Sequence, residues 1–140
     1  MPAWSEALRI GVPEIDDQHI AIFDVCERLT TSIAGGSDQS SLDRDLSFLA
    51  GYVDAHFAME ERLMERVRYG EYARHRHEHA QYRTALGSLL VAAQTDSAAL
   101  RKVADSVTTW LLFHIMQEDK ALAEHIASSG GATAGLSSAR

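Results

Sequence analysis

The sequence predicts an all-α chain: an up-down-up-down antiparallel four-helix bundle with an extended N-terminal arm. Three observations predict it. Apolar residues recur at three- and four-residue steps through four long segments. Both prolines, Pro2 and Pro13, lie near the N-terminus, so nothing interrupts a helix from Ile15 onward. The connections between segments are short, which makes successive helices antiparallel neighbours. At 140 residues the chain fits one domain with a single core.

The first fifteen residues read as the arm, because Pro13 biases Val12 away from helix and Trp4 offers a ring to pack on the bundle. Asp16 or Asp17 is expected to cap a first helix running to about Ala34, with His19, Ile22, Phe23, Cys26, Leu29, Thr30 and Ile33 on its buried face. Gly35 and Gly36 end it. Ser40 with Asp43 resembles the start of a second helix that reaches about Arg66, with the seam Leu42, Leu46, Leu49, Val53, His56, Glu60, Leu63 and Val67.

Tyr69-Gly70 connects to a third helix from about Glu71 to Ala93, with Tyr72, His75, His79, Tyr82, Leu86, Leu89 and Ala93 inward. The fourth starts near Asp96 or Ser97 and continues to about Ser128, carrying Leu100, Val103, Val107, Trp110 and His114 on one side. Residues 1–128 form the expected bundle, and the Gly, Ser and Ala of 129–140 a disordered tail.

Composition narrows the function. A formal net charge of −7 argues against sequence-independent binding to nucleic acid or to anionic membranes, which require a basic face. Cys26 is the only cysteine and sits on an apolar face, as a buried, inert thiol would. No secretory leader pattern and no apolar run long enough to span a bilayer occur, so a soluble cytoplasmic protein is expected.

The seams also hold chemistry. His19, His56, Glu60, His75, His79, His114 and Asp119 stand where a core would place hydrophobes. His56 with Glu60, and His75 with His79, are four apart, so each pair projects from one helix face. A buried, unpaired carboxylate would cost several kcal/mol. No Arg or Lys lies on these seams to pair with Glu60 or Asp119, which leaves a metal as the counter-charge.

Seven nitrogen and oxygen donors without cysteine exceed the four of a structural zinc, and suit two ions of iron or manganese, or a zinc pair. For two six-coordinate irons, five imidazoles, two bridging carboxylates and one solvent-derived oxygen bridge fill all but one of the positions. The vacancy would accept a small ligand, and Ile22, Phe23, Trp110 and Leu111 lie within a turn of His19 and His114 to wall it.

Four segments carry a resemblance: Gly11-Val12-Pro13-Glu14-Ile15-Asp16-Asp17-Gln18-His19; His56-Phe57-Ala58-Met59-Glu60-Glu61-Arg62-Leu63-Met64; His75-Arg76-His77-Glu78-His79; and Trp110-Leu111-Leu112-Phe113-His114-Ile115-Met116-Gln117-Glu118-Asp119. In order and spacing they resemble the hemerythrin family in its single-domain bacterial form, bacteriohemerythrin, from about Trp4 to Ile126. The resemblance implies two iron ions with an oxo or hydroxo bridge. His75, His79 and His114 would hold one iron, His19 and His56 the other, with Glu60 and Asp119 bridging. It further implies that O2 binds reversibly at the second iron, for storage, transport or sensing, and not as a substrate of an enzyme.

The alternatives are a di-iron enzyme acting on peroxide or nitric oxide, with Tyr52 or Tyr82 reaching in, a redox or iron sensor, and a structural zinc or manganese pair. A sensing or delivery role would need a separate protein partner. The chain departs from the family pattern in having Gly70 where a proline often follows the aromatic, and His77, which points off the seam. His114 and Asp119 are five apart, about 140° round a regular helix. Both can face one site only if the helix loosens between them, so a π-bulge is expected there.

Overall fold

A computed structural model describes residues 1–129; the expected tail, 129–140, lies almost wholly outside the described residues. Four helical rods pack as an antiparallel bundle: α1 (Pro13–Ala34), α2 (Gln39–Arg66), α3 (Tyr72–Ala93), and a fourth rod made of α4 (Ser97–His114), a π-helical segment (Ile115–Asp119) and α5 (Lys120–Ser128). α1 packs on α2 and α4, and α3 packs on α4 and α2, which closes the ring. No strand occurs among the described residues, and none of their helices is long and apolar enough to cross a membrane.

The arm is extended apart from one 3-10 turn at Glu6–Leu8. Trp4 is half-buried and meets Phe23 with ring centroids 6.2 Å apart. Helix α1 begins earlier than expected, its cap Val12 lying four residues before Asp16. Pro13 occupies its first turn, where a missing N–H costs nothing, so proline opens the helix and does not hold it off. Asp16 is therefore not the cap. Its buried carboxylate reaches back to accept from the backbone N–H of Ile10 (2.9 Å) and Gly11 (3.1 Å), and so pins the arm.

Asp38, not Ser40, caps α2, accepting from the Ser41 N–H at 2.9 Å. Asp96 caps α4 by accepting from Ala98 N–H. Thr30, expected inside, is exposed and bonds back to the Cys26 carbonyl at 2.9 Å. Tyr52 is also exposed, which removes it from the interior.

Two apolar clusters fill the bundle. The larger runs along one length of it from Leu29, Leu42 and Ala93 down to Ile22, Phe57, Leu111 and Ile115. The smaller closes the other end with Val12, Ile15, Leu63, Met64, Leu122 and Ile126. The seven ligand candidates lie between them, in a polar layer with apolar packing above and below.

Candidate metal centre

All four rods contribute. His19 comes from α1, His56 and Glu60 from α2, His75 and His79 from α3, His114 from the end of α4, and Asp119 from the end of the π segment. All seven are buried, and only His114 retains any measurable exposure, 4%. The π segment lies where the five-residue spacing required it. One extra residue in the turn brings Asp119 back to the face that His114 occupies.

The Nε2 atoms converge. His75 and His79 Nε2 lie 2.9 and 3.1 Å from His114 Nε2, and His19 Nε2 lies 3.1 Å from His56 Nε2. Glu60 divides its oxygens between the two groups: Oε1 faces His75 (3.0 Å) and His79 (3.2 Å), and Oε2 faces His56 (3.0 Å). Asp119 does the same, with Oδ1 toward His75 (3.1 Å) and His114 (3.2 Å) and Oδ2 toward His19 (3.0 Å).

Two donor groups result, Glu60 with His75, His79 and His114, and His19 with His56, Glu60 and Asp119. Neighbouring donors on an octahedral ion with bonds of about 2.1 Å lie about 3.0 Å apart, which is the spacing seen here.

Hydrogen bonding alone leaves this layer unsatisfied. All four oxygens of Glu60 and Asp119 lack a hydrogen-bond partner, although ring nitrogens approach closely. Burial by itself would lower His75 and His114. Asp119 and Glu60 outweigh it and raise them to about 9 and about 10. Burial would raise Glu60, yet the charge of His56 and the approach of His114 and His75 hold it well below the usual carboxylate range. Asp119 is also held low, by His114 and His19 against burial and Glu60. The cluster has the charge and the orphaned acceptors that cations would satisfy.

Residues 10–126 match the family model of the hemerythrin HHE cation binding domain. The chain belongs to the hemerythrin family. It is 32% identical over 106 residues to the bacteriohemerythrin of Methylococcus capsulatus, covering 75% of this chain and 80% of that one. It is 25% identical over 123 residues to the bacteriohemerythrin of Stenotrophomonas maltophilia, covering 88% and 80%. A crystal structure of wild-type hemerythrin superposes with a TM-score of 0.77 at 29% identity, covering 89% of this chain and 96% of that chain.

Beside this hemerythrin's polar layer is an apolar cavity of about 10 Å³ lined by Ile22, Val53, Phe57, Tyr82, Val107, Trp110 and Leu111, no more than the room of about one water molecule. Trp110 stacks on His114 (4.4 Å, 15°) and Tyr82 stacks on Trp110 (4.3 Å, 11°). Ile22, Trp110 and Leu111 line this cavity beside the ligand candidates. Phe23 does not line this cavity; its side chain turns toward Trp4 in the arm.

His77 is exposed, and His125 meets the Val67 carbonyl at 3.2 Å, away from the layer. Sequence reasoning missed Gln18, Glu61 and Arg83, which back the ligands from outside, and the buried Phe57, which stacks on His79. Gln18 and Glu61 adjoin His19 and Glu60 in sequence. Because they are polar neighbours of ligands on outward-facing positions, nothing in a seam pattern distinguishes them from solvated surface.

Proposed function

We propose that this chain is an oxygen-binding hemerythrin that holds two irons through His19, His56, Glu60, His75, His79, His114 and Asp119 and takes up O2 reversibly. The uneven division of donors supports this reading most directly. One group offers three imidazoles and a carboxylate oxygen from each of Glu60 and Asp119; the other offers two imidazoles and the two remaining oxygens. If both ions are six-coordinate and share one oxygen bridge, the two-imidazole side keeps one position open.

When bound, the irons supply the electrons for reversible O2 uptake. The protein's residues do the rest. Glu60 and Asp119 would hold the pair, each presenting one oxygen to either donor group. Ile22, Phe57, Leu111 and Trp110 keep the neighbouring space apolar, which disfavours entry of water and loss of charged species from the open position. Tyr82 offers no ready acid for turnover: its hydroxyl is 3.1 Å from the Ser106 hydroxyl, and burial pushes it up to about 12. Binding is favoured over catalysis on that ground.

The test is to load the protein anaerobically with ferrous iron, admit air, and then strip the oxygen. A charge-transfer colour that appears and disappears over repeated cycles is expected. Irreversible oxidation with consumption of peroxide or nitric oxide would favour a di-iron enzyme, and the absence of any colour from a metal-loaded protein would favour a structural ion pair.

A further inference from the structure

Two of the five imidazoles have a partner on the ring nitrogen that faces away from the centre, one in each donor group, and the partners differ in charge. His79 Nδ1 lies 2.8 Å from Glu61 Oε2. A carboxylate only accepts, so the hydrogen is on Nδ1 and the Nε2 lone pair faces the centre. His56 Nδ1 lies 2.7 Å from Gln18 Oε1, the oxygen of a neutral amide. His19, His75 and His114 have no hydrogen-bond partner at Nδ1.

Glu61 is held in place. Arg83 Nη1 donates to the same Oε2 at 3.2 Å while its Nε donates to Asp54 at 3.0 Å. The guanidinium lies over the Phe57 ring at 5.2 Å, and that ring stacks on His79 at 4.1 Å and 7°. Asp54, Arg83, Glu61 and Phe57 form a clasp from the surface to one ligand. A hydrogen bond from a ligating imidazole to a carboxylate fixes the ring and makes it a stronger donor than one bonded to an amide does.

We propose that Glu61 is a positioning residue that acts through His79 on the ion held by His75, His79 and His114, making that side of the centre more electron-rich than the side backed by Gln18. Arg83 sets how much of the Glu61 charge His79 feels. The ion on the three-imidazole side is accordingly the easier to oxidise. This rests on the two-ion reading above.

The test is a redox titration of the iron-loaded full chain, with ferrous affinity measured alongside, for wild type, Glu61→Gln and Arg83→Met. Glu61→Gln keeps an acceptor for His79 and loses the charge. It should raise one of the two potentials and weaken one of the two irons by about tenfold to a hundredfold. Arg83→Met removes the counter-charge and should lower the same potential. A merely structural role would move both variants in one direction. Two bound irons with an unchanged potential in Glu61→Gln, or any pair of shifts not opposite in sign, would overturn this inference alone. A folded wild-type chain that takes up no iron would overturn the function proposed above and this inference with it.

Discussion

Single residues decide how the bundle's ends are tied. Asp16 is buried and holds two backbone N–H groups of the arm. Since hydrogen bonds to a charged group contribute about 1.5 to 3 kcal/mol, Asp16→Ala should cost about 2 kcal/mol in urea denaturation. A loss within error would mean that the arm is not held through this carboxylate. The turns after α1 and α2 share one geometry. After α1, Gly36 and Ser37 bond back to Ile33 and Ser32 with Gly36 at φ 72°. After α2, Arg68 and Tyr69 bond back to Glu65 and Met64 with Arg68 at φ 53°. Both are Schellman endings, but only the first has the glycine that such a backbone favours. Arg68→Gly should raise stability by about 1 kcal/mol, and an unchanged or lower denaturation midpoint would count against the strain.

At the scale of elements, the π segment allows a five-residue spacing to serve one site. It acts as a single-residue insertion that returns Asp119, Leu122 and Ile126 to the buried face. Deleting the exposed Gln117 should close the turn into a regular helix, leave Asp119 four residues from His114, and preserve helical content by circular dichroism. Inserting an alanine at the same point should rotate α5 by about 100° and expose its apolar face, with a large loss of stability. Equal tolerance of both changes would contradict the register argument.

The bulge was legible because the apolar seam itself shifts by one residue between His114 and Leu122. Helix starts were less so: α1 opens at Pro13 with no side-chain cap in place of Asp16, and Asp38 caps α2 in place of Ser40, because several adjacent residues are acceptable starts and only the packed backbone chooses among them. The seven converging side chains were legible as charged interruptions of apolar seams. Gln18, Glu61 and Arg83 were not, since a residue backing a ligand from outside looks like any other surface polar group until the neighbouring helix is in place.

For the whole molecule, the polar layer links stability to protons and metal. In the metal-free protein, His75 and His114 are raised from 6.5 to about 9 and about 10. The stability they contribute is fully present below pH 6.5 and lost as pH rises through those values. Glu60 and Asp119 are lowered, so their contribution is present above the ordinary carboxylate range and lost on acidification. Metal-free protein should therefore be most stable in mild acid and weaken toward about pH 10 in urea titrations. Metal retention should run the other way, improving as pH rises, because ions and protons compete for the same donors. A metal-free protein that gains stability between about pH 6 and about pH 10 would contradict the charge arrangement described here.

The most direct measurement of the central claim is the number of irons retained per chain after anaerobic ferrous loading and desalting, for wild type and Glu60→Ala. Glu60, like Asp119, presents one oxygen to each donor group, and it does so from the middle of α2 between His56 and Leu63. The wild type should retain two irons per chain, and Glu60→Ala, still helical, should fail to retain the pair. A folded wild type that keeps none or one, or a Glu60→Ala chain that keeps both as tightly, would contradict it.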